Sequence, residues 1–294
     1  MTVSYAIANK TSATRNGSVD LLRFAGAIGI VQFHCAAPGG WIGLSALPMF
    51  VILLVYYGAQ KAGFLGAWKL LKIWLAWSAI YASFKIAQCI VSGTPLSSEF
   101  ETWMLFTGPS IHLWFLPFSA LFLVVTVFSR PMGNTALVVL CVAGSVLSLT
   151  FVRVATPIPL AQWVGVVPAA LTGLYMARAE RPELPALILS FASLAATLLG
   201  VEGLTEQHAI AGISVAAAIT FPLPQTKLSD TLSSLSLGIY LIHPAVIALM
   251  LYVLPKSNPA FFPLVAAASV LLTLVIKVGR SLFRILGKKC IKQR

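Results

Sequence analysis

The sequence predicts an all-α, polytopic membrane protein: a single domain of about ten transmembrane helices with both termini in the cytoplasm. Three observations predict it. Of the 294 residues, 59% are hydrophobic and only 10% charged, where a soluble domain carries roughly a quarter charged side chains. The apolar residues fall in long runs, and a hydrocarbon core about 30 Å thick takes roughly 20 residues per helix; these runs lack the alternation of a membrane barrel. The basic residues gather in one set of connecting segments.

The runs are, in order, Leu21 to Ala37, Leu44 to Gln60, Ile73 to Val91, Ile111 to Ser129, Asn134 to Val152, Leu160 to Ala177, Pro185 to Val201, Ala209 to Pro222, Leu232 to Val253 and Ala260 to Val278. The eighth is short, which leaves open a tilted, thinned or re-entrant segment. Residues 1–18 read as a polar cytoplasmic tail, 19–278 as the membrane domain and 279–294 as a basic cytoplasmic tail on anionic headgroups. A topology signal alone is the simpler reading of that last segment. With nine spans after the first, a cleaved leader is not expected. Cys35, Cys89, Cys141 and Cys290 have no paired spacing, so neither a disulfide framework nor a metal site is expected.

The net charge of +12 does not mark a nucleic-acid binder, because of where the charge lies. With a cytoplasmic N-terminus, every one of the 20 basic residues except Lys85, Arg153 and Lys256 falls on the cytoplasmic side, while Glu99, Glu101, Glu202 and Glu206 lie outside. Lys and Arg bias sets membrane topology and acidic residues count little. Lys85, inside the third run, is expected to snorkel or pair across helices.

Depth then brings histidines together. His34 lies eleven residues beyond Arg23 (34 − 23), about 16 Å along a helix, so Arg23 is near the cytoplasmic surface and His34 in the outer half. His112 begins the inward-running fourth helix, His243 lies at the depth of His34 on the ninth, and His208 falls in the outer connection before the eighth. Intramembrane ionisable groups tend to mark functional sites, although an interhelical hydrogen bond is the plainer reading of any one of them.

Three segments carry a resemblance. They are Asp20-Leu-Leu-Arg23 with His34 after ten intervening residues, His112-Leu-Trp-Phe-Leu-Pro117, and Ser236-Leu-Gly-Ile-Tyr240-Leu-Ile-His243-Pro244. Taken in order, they resemble the bacterial membrane acyltransferase-3 family, which moves acyl groups onto sugars of surface glycans. Lys69-Leu-Leu-Lys72 stands in the connection where the family often has Arg-x-x-Arg, and Lys lacks the bidentate fork of Arg. The His112 segment is similar to that of short sugar O-acetylases without an SGNH domain.

The resemblance implies an O-acyltransferase of the bacterial inner membrane. It implies acetyl-CoA or a related acyl-CoA as donor, no metal, and a sugar of a surface polysaccharide or lipid-linked precursor as acceptor. Acyl transfer to a hydroxyl needs a base and an oxyanion donor. A neutral His serves as base near neutral pH, and His34 is assigned that role. His112 and His243 are unranked candidates to polarise the thioester or steady the sugar.

Arg23, Lys69 and Lys72 are expected to hold acyl-CoA phosphates. The simpler alternatives are an i,i+3 pair of Arg23 with Asp20 and plain topological anchoring for the lysines. Asp20, Trp114, Ser236 and Tyr240 are taken to line the substrate, with Phe115 and Trp41 as further stacking candidates; aromatics near helix ends also serve as interface anchors. Cys35, next to His34, points about 100° away from it and is not expected to carry an acyl group. A transporter and a non-enzymatic subunit of a glycan-modifying system are the alternatives, although no pair of broken segments at matching positions suggests a repeat-built carrier.

The charge distribution makes one direct prediction. Topology reporters fused after Ala177 and after Arg294 should read cytoplasmic and one near Glu101 extra-cytoplasmic, and a cytoplasmic signal at Glu101 would overturn the helix count.

Overall fold

A computed structural model describes residues 16–60, 63–152, 159–201 and 203–292. Lys10, Arg15, Lys61, Arg153, Glu202 and Arg294, used above for orientation, lie outside them. Helices are α1 (Gly17–His34), α2 (Gly40–Gly43), α3 (Ala46–Ala59), α4 (Gly63–Ser92), α5 (Met104–Thr107), α6 (Phe115–Phe128), α7 (Asn134–Val152), α8 (Leu160–Met176), α9 (Glu183–Leu198), α10 (Thr205–Thr220), α11 (Lys227–Met250) and α12 (Phe261–Lys292). No strand occurs among the described residues. With α2 and α3 as one interrupted stretch and α5 as part of a connection, these follow the ten predicted runs. Five stretches are long and apolar enough to cross a membrane, namely Gly40–Ala59, Gly63–Ser92, Ile111–Phe128, Lys227–Met250 and Phe261–Gly279. The chain is a polytopic helical membrane protein.

Two boundaries differ from expectation. Lys69 and Lys72 were placed in the connection before the third run, but α4 begins at Gly63 and carries both, since Leu, Trp, Ala and Lys continue a helix readily. The basic segment from 279 continues as helix to Lys292. The side chains of 280–294 lie outside the described ones.

Which way the helices run can be read from cross-helix contacts. Arg23 of α1 bonds Ser233 of α11, an offset of 210, and the rings of His34 and His243, offset by 209 (243 − 34), are in contact. Equal offsets at both ends mean that α1 and α11 run parallel. Ten stretches that each reverse the one before would make the first and the ninth parallel, as found; α10, the eighth, has 16 residues. It returns antiparallel along α9, where Thr197 meets Thr205 at 2.9 Å and Gly212 faces Ala186 and Ser190. His208, expected in the preceding connection, sits instead in the first turn of α10, buried, with Nδ1 2.6 Å from the Leu204 carbonyl.

Inside a bilayer a backbone group without a partner is costly, and water cannot supply one. The chain meets this demand with its own side chains. Asn16 caps α1, accepting from the Ser18 amide at 2.9 Å and donating to the Ala218 carbonyl at 2.8 Å. Arg178 donates to the carbonyls of Ser129 and Met132 just past α6. Pro168, inside α8, deprives the Val164 carbonyl of its helical donor, and the hydroxyl of Ser148 on α7 donates to that carbonyl instead. The Lys85 ammonium pairs with Glu99 at 3.1 Å, tying the 93–110 connection to α4.

Close helix contact depends on small residues. The tightest approach to backbone is Gly43 against Gly29: a Cβ on Gly43 would lie 2.2 Å from the Gly29 carbonyl oxygen, and backbone cannot step aside. This contact seats α2 against the outer half of α1, one turn below the residues that end in His34. Gly43→Ala should therefore push α1 and α2 apart, at a cost of about 1–3 kcal/mol typical of overpacking. The measurement is thermal unfolding in detergent, where a midpoint equal to wild type would refute the close packing.

Candidate active site

Three helices that are distant in sequence each bring one histidine to the same end of the bundle. His34 is the last residue of α1; beyond it the chain turns through Ala36 at φ 54°, the left-handed conformation that ends many helices. The freed His34 carbonyl takes a hydrogen bond from the Lys256 ammonium at 3.2 Å, a cation at a helix C-terminus. His112 lies in a 3-10 turn, Ile111–Trp114, that leads into α6. His243 lies within α11, just before Pro244.

The rings touch in series. His34 and His243 have centroids 5.1 Å apart, and His243 and His112 are 5.7 Å apart. His243 is fully buried, His112 nearly so, and His34 half-buried. Two phenols lock this arrangement. The Tyr81 hydroxyl on α4 donates to the Leu241 carbonyl of α11 at 2.8 Å, and its ring packs edge-on against His112 at 5.1 Å. The Tyr240 hydroxyl on α11 donates to the His112 carbonyl. These crossed bonds fix α4, α11 and the His112 turn relative to one another. The imidazoles keep separate partners, with His112 Nδ1 2.8 Å from the Ser110 hydroxyl and His243 Nδ1 2.8 Å from the Tyr240 carbonyl.

Of the residues singled out by sequence, the structure thus brings together His34, His112, His243 and Tyr240. Ser236 is buried one turn before Tyr240 and turns its hydroxyl to its own helix, 3.4 Å from the Leu232 carbonyl. Trp114 is buried in the core, packed edge-on against Phe115 and Phe118 rather than toward the histidines. Phe115 stacks on Tyr240 at 5.5 Å, whereas Trp41 is exposed.

The charged candidates lie at the other end of α1. The Arg23 guanidinium donates to Ser233 at 3.1 Å and lies 4.0 Å from the carboxylate of buried Asp20, so the i,i+3 pair and a cross-helix bond coexist. Arg23 keeps 40% of its side chain exposed. On α4, Lys69 and Lys72 are exposed, and the Lys72 ammonium lies over the Trp68 ring at 5.4 Å. Among the described residues, no group of three His, Cys, Asp or Glu is arranged to hold a metal ion.

Sequence reasoning missed Tyr81, Ser110 and Ser233, and it treated Lys256 only as a charge. Tyr81 had a signal: a phenol within an apolar run must find an acceptor when buried. Its acceptor lies 160 residues away in sequence, so the partner had none.

A helical bundle whose buried titratable side chains converge at one end, with a partly exposed arginine at the other, defines a polytopic membrane protein with a built polar site. The acyltransferase domain of the acyltransferase-3 family matches residues 16–278; the chain belongs to that family and is a membrane acyltransferase. No curated protein and no solved structure matches it.

Proposed function

We propose that this acyltransferase moves an acetyl or other short acyl group from cytoplasmic acyl-CoA to a sugar hydroxyl of a surface polysaccharide or lipid-linked glycan precursor, in a bacterial inner membrane. The observation that carries the reading is the contact between His34 and His243 at one end of a parallel helix pair whose other end holds Arg23. An extended pantetheine arm is long and thin. Laid along α1, it spans the roughly 16 Å of helix rise from phosphates at Arg23 to a thioester beside His34. The exposed part of the Arg23 guanidinium and the ammonium groups of Lys69 and Lys72 suit phosphate by charge-assisted hydrogen bonds. The three histidines suit acyl chemistry at the outer face, where glycan acceptors lie.

In the reaction, His34 takes the proton of the sugar hydroxyl as the oxygen attacks the thioester carbonyl. The new C–O bond forms, the C–S bond breaks, and the coenzyme leaves as a thiolate that receives the proton from His34. His34 suits the base because it is half-buried and so open to a substrate, whereas His112 and His243 are enclosed. Of those two, His112 is left to stabilise the oxyanion and His243 to hold the geometry. Tyr240 and Ser236 line the α11 wall of the site, Trp114 backs Phe115, and Asp20 lines the phosphate end beside Arg23.

Two variants test the reading. His34→Gln keeps size and hydrogen bonding but cannot act as base; acyl transfer in membranes, normalised for protein level, should fall by about 10²- to 10⁴-fold while acyl-CoA still binds. Near wild-type transfer by this variant would remove His34 from the chemistry. Arg23→Ala should weaken acyl-CoA binding in a calorimetric or filter assay and leave acceptor binding unchanged, and an unaltered acyl-CoA dissociation constant would rule out the phosphate site.

A further inference from the structure

Pro244 lies inside α11. A proline has no amide hydrogen, so the carbonyl four residues earlier, that of Tyr240, loses its helical donor. The replacement comes from the residue just before the proline: His243 Nδ1 lies 2.8 Å from the Tyr240 carbonyl oxygen and 3.3 Å from that of Ile239. A carbonyl only accepts, so Nδ1 carries the ring hydrogen and Nε2 is left with its lone pair. That Nε2 is buried without a hydrogen-bond partner, in a ring packed against His34.

We propose that Pro244 makes His243 the positioning partner of His34: the carbonyl it frees holds His243 as the Nδ1–H tautomer, and Nε2 of that tautomer accepts a ring N–H from His34. The other His34 nitrogen is thereby left as an acceptor, turned to the sugar hydroxyl. This rests on the acyl-transfer reading given above. The order of donors is His34 N–H to His243 Nε2, then His243 Nδ1–H to the Tyr240 carbonyl.

When His34 takes the alcohol proton it becomes imidazolium with its second N–H already held, and it returns the new proton to the thiolate, so no proton passes to His243. The logic is that of a catalytic triad, in which a third group fixes the tautomer of the base; here a neutral imidazole backed by a carbonyl stands in for a carboxylate. The two rings touch without a bond between them, and such bonds often tighten only when substrate is present. A proline-freed carbonyl does not by itself demand a histidine, since Ser148 serves the one freed by Pro168.

The test is NMR of protein labelled with 15N-histidine in nanodiscs, with the His243 signals identified by their loss in His243→Gln. Wild type should show a pyrrole-type Nδ1 and a pyridine-type Nε2. Pro244→Ala restores an amide that reclaims the Tyr240 carbonyl, so His243 should shift toward mixed tautomers. Its kcat should fall about 10- to 100-fold, as for other histidines robbed of the partner that orients them, with KM for acyl-CoA unmoved. Tyr81→Phe, which loosens α11 one residue away without adding an amide, should leave the tautomer as it is. A wild-type His243 protonated on Nε2, or an unchanged tautomer in Pro244→Ala, would overturn the proposal. An Nδ1–H His243 in wild-type protein that turns over no acyl-CoA would instead overturn the acyl-transfer reading, and the tautomer assignment would stand.

Discussion

Everything in this bundle answers to the demand that backbone amides and carbonyls find partners where water is absent. Interior prolines break the helical ladder, and each break recruits a side chain: Ser148 at the Val164 carbonyl and His243 at the Tyr240 carbonyl. Helix ends are closed in the same way, by Asn16 at the start of α1, Arg178 past α6 and Lys256 at the end of α1. Among the described residues, the Nε2 atoms of His112 and His243 are buried without a hydrogen-bond partner, and both belong to the cluster beside His34.

The parallel pair of α1 and α11 is the spine that gives these groups their places. Arg23 to Ser233 forms one rung and His34 to His243 the other. Between the rungs the contact is apolar, with Ala27 and Val31 of α1 and Leu235, Ile239 and Ile242 of α11 all buried in one cluster. Small residues let neighbours close on the spine, as where Gly29 and Gly43 meet backbone to backbone. The charged end and the imidazole end are thus held apart by a stretch of buried apolar packing.

Much of this was legible in the sequence, because a bilayer imposes length and hydropathy on every span. The ten runs, the common depth of His34 and His243 and the grouping with His112 all follow from counting residues. Boundaries were less legible: nothing in Lys69 or Lys72 distinguishes a connection from the first turns of a helix emerging into the headgroups. Burial of Trp114 was not legible either, since an aromatic near a helix end packs inward or anchors at the interface according to neighbours supplied by distant segments. Tyr81 was hidden for the same reason. Pro244 lay in plain view within its motif, and the carbonyl it frees follows from arithmetic; that the neighbouring imidazole turns back to meet that carbonyl is a matter of side-chain torsion, which spacing does not encode.

The eleven residues from Arg23 to His34 set an angle as well as a length. At about 100° per residue they complete just over three whole turns, so both side chains leave α1 on the same side, the side that α11 occupies. Depth and direction on this helix cannot be varied independently. One residue more or less would swing His34 by about 100° away from His243 while moving it only about 1.5 Å. The reach between the two ends is therefore quantised in steps of a helical turn, about 5.4 Å.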